Sequence, residues 1–173
     1  MSVNYYRFRC KTQRYLADLP AASIVIPFYN EHWSTLMRSV HSIIKRSPLE
    51  LVKEIILVDD ASEKNHLKEK LEEYIQKMNA NGWENKVRVV RLKARDGLIG
   101  ARLAGAKNAS AEVLIFLDCH IEVNKSSFFI MKVKISSALN LTKVFIIVHY
   151  LTIIVLLTLF RLMSTGFLLF LNP

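Results

Sequence analysis

The sequence predicts an α/β protein built on a mainly parallel, Rossmann-like sheet, with a hydrophobic helix appended at its C-terminal end. Three observations carry this. First, short apolar runs alternate with amphipathic stretches as strand, helix, strand, helix, strand, helix, strand between residues 22 and 117. Such alternation packs as parallel strands joined by crossovers. Second, polar residues follow three of the runs: Asn30 and Glu31, Asp59 and Asp60, and Asp118 and His120. In open α/β sheets ligands gather beyond the carboxyl ends of the strands, where these residues would lie. Third, residues 144–160 (VFIIVHYLTIIVLLTLF) form a 17-residue stretch without a charge.

Each element has its own warrant. Residues 1–19 carry Arg7, Arg9, Lys11 and Arg14 among aromatics without a clear period, and read as a lead-in. Ala22–Phe28 (ASIVIPF) is β-branched and reads as a strand, with Pro27 near its end because proline removes a ladder donor. From His32 to Ser47, Leu36, Val40, Ile43 and Ile44 recur at helical spacing; Ser34 is a candidate N-cap and Pro48 a terminator. Glu54–Asp60 (EIILVDD) is a second strand ending in carboxylates. Ser62 then offers an N-cap for a helix presenting Leu67, Leu71, Tyr74, Ile75 and Met78. Asn81-Gly82 marks a turn. Val87–Leu92 is a third strand, Gly97 gives backbone freedom, and Leu98–Ala109 is a small-residue helix able to lie close to a sheet. Val113–Leu117 is a continuous apolar run, as in a strand buried on both faces.

Charge divides the chain. All 15 acidic residues and 20 of the 24 Lys and Arg lie in 1–125, whereas 126–173 holds only Lys132, Lys134, Lys143 and Arg161. We therefore expect a boundary near Asn124, with a domain over 20–124 and a tail over 125–173. At about 1.5 Å per residue, 144–160 would span about 25 Å as a helix, close to a bilayer core. It is accordingly a candidate transmembrane helix. The net charge of +9 is spread among acids without a dense basic cluster, which argues for a solvated surface and against a nucleic-acid footprint. Two cysteines, Cys10 and Cys119, make neither a disulfide framework nor a CxxC signature. The sequons Asn108-Ala109-Ser110 and Asn140-Leu141-Thr142 are acceptors only if the chain enters a secretory lumen. The first 20 residues lack the apolar core of a signal peptide.

Asp118 and His120 are the sharpest chemical feature. Two residues apart on an extended segment, they would project from one face and offer an oxygen and a nitrogen to a divalent metal. The competing reading is a polar strand end facing water. No GxGxxG or GxxxxGK[ST] is present, so neither a dinucleotide fingerprint nor a Walker-type loop is available. The three polar strand ends together favour a metal-assisted nucleotide or phosphate crevice.

Four segments extend this reading. IVIPFYNEHWSTLMRSVHSIIKRSP, EIILVDDAS, RDGLIGARLAGA and VLIFLDCHIEVN, in this order and spacing, resemble the polypeptide N-acetylgalactosaminyltransferases, which start mucin-type O-glycosylation. The likeness covers roughly Cys10–Asn124. It implies a GT-A fold (a glycosyltransferase 2-like nucleotide-sugar half-domain), UDP-GalNAc as donor, Mn²⁺ as cofactor, Ser or Thr of a protein as acceptor, and a Golgi setting. It also implies that Asp118 and His120 are metal ligands. Asp60 and Arg95 would contact the donor, and Pro27 and Cys119 would touch the nucleotide sugar. Asp60 as a helix cap and Arg95 as a solvated charge are the plainer alternatives.

The departures carry expectations too. Gly100 stands where the family usually has Arg or another long residue, and Cys119 where Ser or Ala is common. After Asn124 the resemblance ends, before the family's further metal-binding His, its acceptor loops and its lectin domain; the N-terminal anchor has no counterpart either. Cys10 resembles a family cysteine whose partner belongs to that second half. The alternative expectation is therefore an inactive, tail-attached membrane fragment that retains at most weak UDP or metal binding. Lys132, Lys134 and Lys143 before the candidate span would favour a cytosolic N-terminal part, at odds with the family's lumenal chemistry.

Overall fold

The computed structural model describes residues 20–80 and 86–123, together with the backbone of two strands at 144–149 and 152–156. The lead-in, the Asn81-Gly82 turn, the Asn140 sequon, Cys10 and the tail's basic residues lie outside the described residues. The elements run β1 (Ala22–Phe28), α1 (Trp33–Arg46), β2 (Val52–Asp59), α2 (Glu69–Met78), β3 (Val87–Arg91), α3 (Gly97–Asn108), β4 (Val113–Leu117), β5 (Val144–His149) and β6 (Thr152–Leu156). Short 3₁₀ turns at Leu49–Leu51 and Asn65–Leu67 lead into β2 and α2.

The strands form one six-stranded sheet in the order β3-β2-β1-β4-β5-β6. All neighbours are parallel except β5 and β6. Every residue of β1 and β4 is buried, and in β2 only Lys53 is exposed, so these strands read as continuous apolar runs instead of alternating ones. Pleating sends their side chains to two cores. Ile24, Ile26, Ile55 and Leu57 meet Leu36, Val40 and Ile43 of α1 and Leu71 and Ile75 of α2 on one face. Val25, Ile56, Val58, Leu114 and Phe116 meet Ala101 of α3 on the other. Gly105 lets α3 approach: a Cβ there would stand 2.2 Å from Val25 Cγ1 and 3.1 Å from Val58 Cγ2.

Several local expectations are corrected. His32, not Ser34, occupies the N-cap of α1, and its side chain makes no capping bond. Ser47, before Pro48, is extended and ends that helix, as a pre-proline residue should. Ser62 does not cap α2, which starts at Glu69; its hydroxyl accepts the Asn30 amide proton at 2.9 Å and ties the ends of β1 and β2 together.

The larger correction concerns the tail. The backbone over Val144–His149 and Thr152–Leu156 is strand, not a continuous helix over 144–160. Among the described residues no helix is long and apolar enough to cross a membrane. Uninterrupted hydropathy does not separate a buried strand from a spanning helix, and this stretch is rich in β-branched Val, Ile and Thr, which favour the extended state. β4 would otherwise present an unpaired edge, and β5 completes it in register from Val113↔Val144 to Leu117↔Val148.

Candidate functional site

Strand order reverses direction between β1 and β4, the topological switch point of a doubly wound sheet. Pairing of β1 with β4 stops at Val25↔Phe116, while pairing with β2 continues to Phe28↔Asp59. The crevice opens where β1 and β4 part. Pro27 lies past the last β4 pair, a position where its missing N–H breaks no bond to β4.

The β1 and β2 ends are locked to each other. Asn30, in the left-handed region at φ 47°, accepts the amide protons of Glu63 and Lys64 at 2.9 and 3.3 Å. Ala61 is also left-handed, at φ 58°, a conformation that costs a Cβ-bearing residue energy and often accompanies functional turns. Asp60 is buried, and its carboxylate accepts the amide protons of Asp96 at 2.7 Å and Gly97 at 3.0 Å. It therefore holds the start of α3, two elements further on than the next-helix cap the sequence suggested. Gly97 at φ 75° makes the turn into that helix. Asp96 lies over Gly100, with its carboxylate in the space a side chain at position 100 would fill.

Arg95 stacks its guanidinium over the Tyr29 ring at 4.1 Å, a cation–π contact that aims a solvated charge along the crevice. Asp118 is buried and accepts a hydrogen bond from Arg102 Nη2 at 3.2 Å. β4 ends at Leu117 and Cys119–His120 is a turn, so strand alternation does not explain how Asp118 and His120 are placed. A clamp from α1 does. The Ser39 hydroxyl lies 2.8 and 2.9 Å from the carbonyl oxygens of Cys119 and Ile121. Ser42 accepts the Val123 amide proton, and Arg46 donates to the Val123 carbonyl and pairs with Glu122.

Cys119 donates its thiol proton to Glu31 Oε2 at 3.1 Å. Burial, reinforced by that carboxylate, pushes the thiol up to about 12. Burial works to raise Glu31 as well, but the His32 amide, the Cys119 thiol and the neighbouring imidazoles outweigh it and leave the carboxyl below its ordinary value. His120 is half-exposed, with Nδ1 3.8 Å from Glu31 Oε2.

All six residues named from the sequence, Pro27, Asp60, Arg95, Asp118, Cys119 and His120, line one cavity of about 310 Å³, with Phe28, Tyr29, Gly97, Leu98 and Ala101 completing its wall. Sequence reasoning missed Tyr29 beneath Arg95, Arg102 on Asp118, the Ser39–Ser42–Arg46 clamp, and Glu31 as a partner of Cys119 and His120. Glu31 had a signal in its position at a polar strand end. Ser39 and Ser42 had one too, as hydroxyls on an otherwise apolar helix face.

A polar crevice at the switch point of a doubly wound sheet is where open α/β proteins bind ligands, and comparison places the chain in a family. The model of glycosyl transferase family 2 matches residues 23–132, so the chain belongs to that family. N-acetylgalactosaminyltransferase 6 of Drosophila melanogaster is 60% identical over 115 residues, 66% of this chain and 16% of that protein. Human polypeptide N-acetylgalactosaminyltransferase 10 is 50% identical over 115 residues, 66% of this chain and 18% of that protein. The crystal structure of GalNAc-T7 with UDP, GalNAc and Mn²⁺ superposes with a TM-score of 0.63 at 50% identity, covering 68% of this chain and 21% of that one. The chain thus spans about a sixth of the length of the curated relatives quoted, 16% and 18%.

Proposed function

We propose that this chain carries the donor-binding half of a polypeptide GalNAc-transferase site, taking UDP-GalNAc with Mn²⁺ for transfer to Ser or Thr of a protein in the Golgi lumen. The observation that carries the reading is the shared cavity. Six residues drawn from three strand ends and the entry to α3 converge on it, and the similar GalNAc-T7 was crystallised with UDP, GalNAc and Mn²⁺.

The residues suit the cation. Asp60 and Asp118 line the cavity and Glu31 neighbours it through Cys119 and His120, with Arg95 and Arg102 the nearby guanidiniums. A bare diphosphate entering that field meets carboxylates, so a divalent ion is needed to reverse the local sign. Asp118 and His120 would hold it, an oxygen and a borderline nitrogen that suit Mn²⁺. Cys119, kept as a protonated thiol, is no hard-cation ligand in this state. Bound there, Mn²⁺ would supply Lewis-acid neutralisation of the diphosphate leaving group. Arg95 adds a fixed positive charge at the rim. Asp60 retains lone pairs beyond the two amide bonds for a nucleotide N–H or hydroxyl, and Pro27 with Phe28 gives a flat apolar wall.

Calorimetric titration of UDP into the full chain tests this. Binding should require Mn²⁺, and Asp118→Ala and His120→Ala should each weaken it by about tenfold or more. Metal-independent binding, or none in a chain folded by circular dichroism, overturns the reading. Once binding is established, transfer to a Ser/Thr peptide is the next measurement.

A further inference from the structure

Glu31, Cys119 and His120 bring three unlike donor atoms together within 4.8 Å of one another. Cys119 Sγ lies 3.1 Å from Glu31 Oε2 and 3.7 Å from His120 Nδ1, and those two atoms are 3.8 Å apart. A tetrahedral Zn²⁺ with sulfur at about 2.3 Å and nitrogen and oxygen at about 2.0–2.2 Å sets its ligand atoms about 3.4–3.6 Å apart. The observed triangle differs from that by at most about 0.5 Å a side, a margin that small side-chain rotations absorb.

We propose that Glu31, Cys119 and His120 form a three-ligand site for a thiophilic divalent cation of the Zn²⁺ class, with its fourth position open to the donor cavity. The donor set is what separates this ion from a hard one: thiolate and imidazole select Zn²⁺, whereas Mn²⁺ favours oxygen. The backbone is prepared for it, because Ser39 fixes the carbonyls on either side of His120 and so holds the turn that carries two of the ligands. Binding breaks the Cys119 S–H bond, forms a metal–sulfur bond and releases the proton to water, with no change of oxidation state. Glu31 exchanges the thiol hydrogen bond for the metal. His120 belongs to both arrangements, so a soft ion here competes with the hard ion that the donor reading places on Asp118 and His120. Zn²⁺ then acts as an inhibitor of donor binding.

Cobalt(II) is the probe, because a thiolate ligand gives it a near-ultraviolet charge-transfer band. The full wild-type chain titrated with Co²⁺ should show that band, and Zn²⁺ should erase it by displacement. The band should survive Cys10→Ser, vanish in Cys119→Ser, and require at least about tenfold more metal in Glu31→Gln. His120→Ala, at a half-exposed side chain, is the second variant and should also lose it if Cys119→Ser fails to fold. A wild-type chain without the band, or a band that persists in folded Cys119→Ser, overturns the site. The assay needs no UDP. Failure of Mn²⁺-dependent UDP binding with the cobalt band intact would therefore sink the donor reading and leave this one standing.

Discussion

Gly105 and Ser39 show how single positions seat the elements that carry the cavity wall, α3 and the Cys119–His120 turn. Gly105 faces Val25 and Val58 across a gap that cannot hold even a methyl group. Gly105→Ala must push α3 off the sheet, and we expect a loss of about 1–3 kcal/mol by urea unfolding, despite alanine's better helix propensity. The Ser39 hydroxyl is fully buried and serves the Cys119 and Ile121 carbonyls. Ser39→Ala strands at least one of them, and about 1–3 kcal/mol should be lost. UDP affinity should fall in the same variant, since the turn carrying His120 is loosened. At this scale the sequence was more informative about chemistry than about support. Asp118, His120 and Asp60 were visible because charged residues at apolar strand ends stand out, and Arg95 only through the family resemblance of its segment. Ser39 gave only the sign of a hydroxyl on an otherwise apolar helix face, which does not say what it holds until the loop beside it is known.

Elements were legible where both faces are buried and ambiguous where only hydropathy spoke. β1 and β4 were read at their true limits, because a five- to seven-residue apolar run between turn signals has few alternatives. Residues 144–160 satisfied a spanning-helix criterion, while the runs at 144–149 and 152–156 within them also suit buried strands, and the open edge of β4 decided for strand there. Ile146→Pro tests the assignment. In a strand paired on both sides, it removes a ladder donor and should lower the unfolding midpoint markedly. In a membrane-embedded tail independent of the domain, it would leave that midpoint unchanged. The caps failed for a different reason. Ser34 and Ser62 have the right chemistry for helix starts, but Ser62 is committed to the β1 end, a partner 32 residues away in the chain that no local rule can see.

Across the whole molecule, the two ends of the sheet do different work. At the end opposite the cavity, Glu54 is buried and accepts hydrogen bonds from Ser23, from the Ser110 amide and hydroxyl, and from Arg88. Burial alone would raise its carboxyl, but these four donors hold it down to about 2. A folded value below the unfolded one of 4.5 means the network's stability is fully present above about pH 4.5 and is lost as pH falls toward 2. The contribution is on the order of 2 kcal/mol after allowance for residual solvent screening. Glu54→Gln should therefore be less stable at pH 7 and show a shallower loss of stability between pH 5 and about pH 3. A denaturant series against pH measures both. Its UDP binding at neutral pH should match the wild type, because Glu54 and the cavity occupy opposite ends of the strands.

The sequence alone determined the alternation of strands and helices, the buried faces and the polar strand ends, since these follow from residue type at short range. Tertiary structure alone decided which side chains from the strand ends line one cavity, that 144–149 and 152–156 join the sheet, and that Glu31 faces Cys119 and His120. Those outcomes depend on strand order and on pairings between residues far apart in the chain. Local propensity carries no record of them.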